Sequence, residues 1–249
     1  MPAEVGLGSA GFLVGLAGFT SALTAIAGIG GGVIMLAAMA SLLPPAAVIP
    51  VHAVVQLGSN VGRAALMRHW IDKPRLVPFV LGSLVGIAIG GSVAVNLPGE
   101  ALRIVLGLFI LQTVWLPLAV MATIKGRGLA LGGAIASFLT MLVGATGPYV
   151  QAILRPLGLG KEGLIATHAA AMTAQHGLKM LAFGLLGFAF APWLPLVVLM
   201  IAAGFLGTLI GRHFLGRLSE RHFEVVIRTI LTVVALDLVL RSAWQLVRG

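Results

Sequence analysis

The sequence predicts an all-α polytopic membrane protein made of two inverted repeats, each a glycine-broken, re-entrant helical hairpin followed by three transmembrane helices. Three observations carry that expectation: long runs without charge, an internal duplication, and loop charges that sort to one face only if the halves are inverted. Of 249 residues, 59% are hydrophobic and 9% charged, and the mean hydropathy is +1.09. A soluble domain carries about a quarter charged residues, so there is too little polar surface here to face water. No Asp, Glu, Lys or Arg occurs in 5–62, 76–99, 104–124, 128–154 or 180–211. Each run is long enough for the roughly 20 apolar residues that cross a hydrocarbon core of about 30 Å.

Other classes are excluded early. A net charge of +9 could suggest a nucleic acid partner, but the basic residues sit in short loops, where they read as topology signals. Met1-Pro2-Ala3-Glu4 lacks the basic start of a signal peptide. Without cysteine there is no disulfide or thiolate metal site, and the six histidines lack a metal-ligand spacing such as HExxH. No metal or other cofactor is expected.

The duplication appears when the chain is shifted by 116 positions. Gly28 then falls on Gly144, Gly31 on Gly147, His52 on His168 and Arg63 on Lys179. Further on the shift becomes 121, and Gly86 and Gly90 fall on Gly207 and Gly211. The first repeat covers 1–125 and the second 126–249, within one membrane domain. In the first, a broken apolar segment over 5–43 is interrupted at Gly28-Ile-Gly-Gly-Gly32, and spans follow at 47–67, 75–97 and 101–124. In the second, the broken segment over 129–157 is interrupted at Gly144-Ala-Thr-Gly-Pro148, with spans at 162–187, 191–211 and 222–246.

Loop charge decides between parallel and inverted halves. If every segment crossed once, Arg68, Lys73, Arg75, Lys125 and Arg127 would face one side and Arg155, Lys161, Arg212, Arg217 and Arg221 the other. That is no asymmetry. If each broken segment enters and leaves on the same face, all ten basic residues share one face, as the positive-inside rule requires of the cytoplasmic side. Both termini are then outside, and the location is the cell inner membrane.

Non-helical backbone at membrane depth must be buried in protein or line a wet cavity. Half-helix N-termini offer unpaired N–H groups and partial positive charge, which favour anions. Gly28, Gly30, Gly31, Gly32, Gly144, Thr146 and Gly147 are therefore candidate substrate contacts. The competing explanation is that these glycines serve only close helix packing. After the first break, His52, Gln56, Ser59, Asn60 and Arg63 share one helical face. The second half carries His168, Gln175, His176 and Lys179 in a similar stripe, and inversion places His52 at the depth of Lys179 and Arg63 at that of His168. An oxyanion needs positive charge and hydrogen-bond donors; Arg and Lys supply the charge and His could carry a coupling proton. Alternatively, Arg63 and Lys179 snorkel to opposite surfaces while the polar groups join helices. Asp237 and Arg241 read as a local pair one helical turn apart, and Trp70, Trp193 and Trp244 as interfacial aromatics.

Gly28–Gly32, Val51–Arg63, Gly144–Pro148 and Ala166–Lys179 together resemble the TauE/SafE sulfite-exporter family, over nearly the whole chain and in both repeats. The resemblance implies an inner-membrane permease for small sulfur-containing or organic anions such as sulfite, thiosulfate or sulfonates, with no catalytic residues. The expected function is secondary-active export of such an anion, since no GxxxxGK[ST] nucleotide loop is present. Its partners are the small anion, the lipid bilayer and a coupling proton or ion, with a homo-oligomer left open and no nucleic acid. The alternatives are a cation or metal permease that uses the histidines, and a non-transporting accessory membrane protein. An intramembrane enzyme lacks a nucleophile–base pair.

Overall fold

The computed structural model describes residues 5–27, 30–94, 97–116, 128–213 and 220–248, with side chains for all of these except 26, 27, 212, 213 and 220–227. Gly28, Lys125, Arg127 and Arg217, singled out above, lie outside the described residues. Ten α-helices make up the described chain, with short 3₁₀ turns and no strand. The first five are α1 (Leu7–Ala27), α2 (Gly31–Leu42), α3 (Pro45–Leu66), α4 (Lys73–Ala94) and α5 (Gly99–Trp115). The second five are α6 (Leu129–Val143), α7 (Gly147–Leu154), α8 (Gly160–Leu185), α9 (Leu194–His213) and α10 (Glu220–Arg248).

Helix starts and stops follow from local chemistry. Gly144 caps α6 at φ +78° and Gly30 precedes α2 at φ +102°, conformations that side-chain-bearing residues adopt only at a cost. Pro45 and Pro148 occupy first-turn positions, where a missing N–H loses nothing. At 1.5 Å per residue, α2 and α7 are only about 18 and 12 Å long, too short to cross a core of about 30 Å. Both breaks therefore leave helix ends inside the bundle.

Four segments are long and apolar enough to cross a membrane: Leu7–Ala25, Lys73–Ala94, Ala191–Gly211 and Arg228–Arg248. Large apolar side chains such as Leu81, Leu84 and Ile89 on α4, and Val198, Leu199 and Leu206 on α9, are exposed. A water-facing surface would not carry so much contiguous apolar area; a lipid-facing one requires it. In contrast, α3 and α8 hold their polar residues inward and pack on each other at the centre.

The packing of one half has counterparts in the other. Helix α4 packs on α6 and α9 on α1; α4 touches α8 and α9 touches α3. These contacts rest on small residues that let backbones meet. A Cβ at Gly86 would collide with the Ala134 carbonyl, and one at Gly207, its equivalent, with the Gly18 carbonyl. At one end of the bundle the α3–α4 connection, which like the α7–α8 connection carries basic residues, packs on α8, where Asp72 N donates to Thr167 Oγ1 at 2.9 Å. Arg68, Lys73, Arg75, Arg155 and Lys161 belong to these two connections and the helix starts that follow them.

Asp237 and Arg241 pair at 2.6 Å on an exposed face, as their spacing suggests. Trp70 and Trp244 are exposed. Trp193 is not an interfacial aromatic of that kind: it is buried and stacks on Phe188 at 6.5 Å between centroids. Hydropathy places a Trp near a helix end but does not show that Phe188 folds over it.

Candidate functional site

Helical spacing aligns His52, Gln56, Asn60 and Arg63 on the face of α3 that meets α8. The two helices run antiparallel, so the His of one lies against the cation end of the other. His52 and His176 meet edge to face, with centroids 5.9 Å apart. Lys179 lies within electrostatic reach of His52, and Arg63 within reach of His168.

Each duplicated histidine ties its helix to the short helix after the break. His52 Nε2 donates to Gly32 O at 2.9 Å, and His168 Nε2 donates to Gly147 O at 3.1 Å. A carbonyl only accepts, so both rings carry their proton on Nε2 in these bonds. A second pair of contacts repeats in the same way. Ser21 Oγ meets Ser59 Oγ at 3.4 Å, and Gln175 Nε2 donates to Ser137 Oγ at 3.0 Å. Ser21 and Ser137, like Ser59 and Gln175, are 116 positions apart.

Between these elements lies a cavity of about 40 Å³. That holds a few water-sized groups or one small ion, far less than the roughly 300–1,000 Å³ of a drug-sized pocket. Of the residues singled out from sequence, Gly30, Gly32, His52, Gln56, Asn60, Arg63, Gly147, His168 and His176 line it. The first turns of α2 and α7 thus reach the cavity from different elements.

Its electrostatics are one-sided. Arg63 is 5% exposed; its Nη1 donates to Asn60 Oδ1 at 3.4 Å, while its Nε has no hydrogen-bond partner. Nδ1 of His52 and of His176 are also buried without partners. Among the described residues, no carboxylate pairs with Arg63, and no three His, Asp or Glu come together as a metal set.

Six other residues singled out from sequence do not line this cavity. Gly31 packs on Thr20 and Thr24, and Ser59 meets Ser21. Thr146 Oγ1 donates to Gln175 Oε1 at 2.9 Å, so both are engaged in a buried bridge. Lys179 is fully buried and donates to Gly144 O at 2.6 Å and to Thr140 Oγ1 at 3.1 Å.

Residues 9–238 match the family model described as sulfite exporter TauE/SafE. The chain belongs to that family. No curated protein and no solved structure matches it. As a TauE/SafE protein it is a membrane transporter of the sulfite-exporter kind, in keeping with its lipid-facing surface.

In this TauE/SafE chain, sequence reasoning missed Thr24, Val33, Ala145, Pro148 and Met172, which complete the cavity wall. One of these had a signal. Thr24 falls on Thr140 under the same shift of 116 that aligns the histidines, and both hydroxyls sit beside the breaks. Met172 falls at the position equivalent to Gln56. A thioether opposite an amide gives no sign of shared duty until α3 and α8 are placed face to face.

Proposed function

We propose that this TauE/SafE protein is a secondary-active exporter of small oxyanions, with sulfite the best-fitting cargo, held in the central cavity between the broken-helix ends and the polar faces of α3 and α8. The observation that carries this is Arg63. A guanidinium almost wholly buried in the bundle, in the last turn of α3 and with no carboxylate partner among the described residues, is costly; insertion scales give about 2.5–3.5 kcal/mol for one at a helix centre. A bound anion would offset that cost, and a cation would add to it. The first turns of α2 and α7 add donors suited to an anion.

Cavity size favours compact oxyanions such as sulfite, and thiosulfate next, over longer organosulfonates. The repeated contacts, with α4–α6 matching α9–α1 and His52–Gly32 matching His168–Gly147, support an arrangement of two inverted repeats, 1–125 and 126–249. Such repeats commonly hold substrate where broken helices meet. The basic end, with Arg68, Lys73, Arg75, Arg155 and Lys161, is then cytoplasmic and both termini are outside, in an inner membrane.

The test is flux in proteoliposomes loaded with sulfite, thiosulfate or sulfoacetate, beside a divalent-metal arm. Sulfite moves fastest, and Arg63→Gln lowers its flux by at least about tenfold, the equivalent of one charge-assisted hydrogen bond. Metal flux without anion flux would overturn the reading in favour of a cation permease. No flux of any solute would favour an accessory role.

A further inference from the structure

Of the larger cavities beyond the central one, two are lined by both halves of the chain, at equivalent positions exchanged between them. One, of about 350 Å³, is lined by Arg63, Met67, Trp70, Lys161, Glu162 and Ile165 among others. The other, of about 520 Å³, is lined by Pro45, Ala46, Ile49, Phe183 and Leu186 among others. Lys161, Glu162 and Ile165 fall on Pro45, Ala46 and Ile49 under the shift of 116. Met67 and Trp70 fall on Phe183 and Leu186 in the same way. The two vestibules therefore match in position and differ in chemistry: one is charged, and the other has no charged side chain in its wall among the described residues.

The duplicated cations stand between each vestibule and the centre, in different states. Along α3, Asn60 lines the central cavity, Met67 lines the charged vestibule, and Arg63 between them lines both. Along α8, His176 lines the central cavity, Phe183 lines the apolar vestibule, and Lys179 between them lines neither. Its ammonium is clasped by Gly144 O at 2.6 Å and Thr140 Oγ1 at 3.1 Å, at the C-terminal end of α6. That end carries the unpaired carbonyls and partial negative charge that attract a cation.

We propose that Arg63 and Lys179 are the two gates of one path: Arg63 is an anion ligand open to the charged vestibule, and the clasp of Lys179 on Gly144 closes the path toward the apolar vestibule. This rests on the anion-carrier reading of the central cavity. Opening the far side requires Lys179 to leave Gly144 O, and an anion arriving in the central cavity is the group that competes for it. Lys179 is thus a positioning residue, while Arg63 touches the cargo.

The chain has no cysteine, so a single introduced thiol reports its own site. Met172→Cys places that thiol in the central cavity, between the two vestibules. Full-length protein in sealed proteoliposomes of known orientation is treated with a charged, membrane-impermeant thiosulfonate on one face at a time. Reagent on the side of the charged vestibule is expected to label at least about tenfold faster than reagent on the side of the apolar one, because the far side opens only in a minor population. Adding Lys179→Met raises the rate from the apolar side by about tenfold or more and leaves the rate from the charged side within about twofold, which also reports that the protein is folded. Where Lys179→Met fails to fold, Thr140→Val, which removes one side of the clasp, carries the same expectation. Equal labelling from the two sides in the parent protein, or an apolar-side rate that neither variant changes, overturns the proposal. In flux assays Arg63→Gln raises the half-saturating sulfite concentration, whereas Lys179→Met lowers the maximal rate; the reverse split also overturns it. Labelling needs no transported anion, so absent sulfite flux would sink the carrier reading without deciding the gate.

Discussion

The imidazole of His52 donates its Nε2 hydrogen to the Gly32 carbonyl at 2.9 Å, which leaves Nδ1 without a hydrogen-bond partner. With Nε2–H committed, Nδ1 of the neutral ring is a lone pair. A lone pair repels a bare anion and welcomes a proton that accompanies one. Sulfite movement is therefore expected to carry protons in the same direction, read by a pH dye inside the liposomes. His52→Gln can still donate to Gly32 O but cannot titrate. Proton flux relative to sulfite flux then falls by about tenfold or more; an unchanged ratio would remove His52 from the coupling.

His176 presents a second unpaired Nδ1, edge to face with His52. His176→Ala is expected to lower sulfite flux by about tenfold, the value of one hydrogen bond that an Nδ1–H of His176 would give the bound anion. Leu181→Ala, at an exposed α8 position facing away from the cavity, leaves flux within about twofold. Equal losses in both variants would point to general destabilisation.

Gln175 bridges Thr146 and Ser137, and all three are fully buried. Gln175→Leu leaves two buried hydroxyls unpaired, at about 1–3 kcal/mol each. The expected result is a clear drop in the melting temperature of purified protein. Asp237→Asn removes only an exposed pair and should change stability by less than about 1 kcal/mol.

Gly86→Ala and Gly207→Ala each drive a methyl into a facing carbonyl, of Ala134 and Gly18 respectively. Both are expected to lower the yield of monodisperse protein sharply. Gly11 has open space around it in the second turn of α1, so Gly11→Ala is expected to be neutral or to stabilise by up to about 1 kcal/mol. Size-exclusion profiles of the three variants separate close-packing glycines from incidental ones.

Membrane residence, the ten-helix plan and the two breaks were legible in the sequence because hydropathy, glycine and helical periodicity act over a few turns of chain. Charge-free runs show where lipid must be, and no local packing choice alters that. The stripe of His52, Gln56, Asn60 and Arg63 was legible for the same reason: positions four and three apart share a helix face whatever lies opposite. The relation between Arg63 and Lys179 was not. The duplication makes them equivalents, and by sequence they look like two copies of one function. Tertiary structure alone decided that Arg63 opens onto two cavities while Lys179 is clasped at the end of α6. The physical reason is that a buried cation takes its role from the acceptors brought to it across the bundle. Those acceptors, Gly144 O and Thr140 Oγ1, come from residues 35 and 39 positions away.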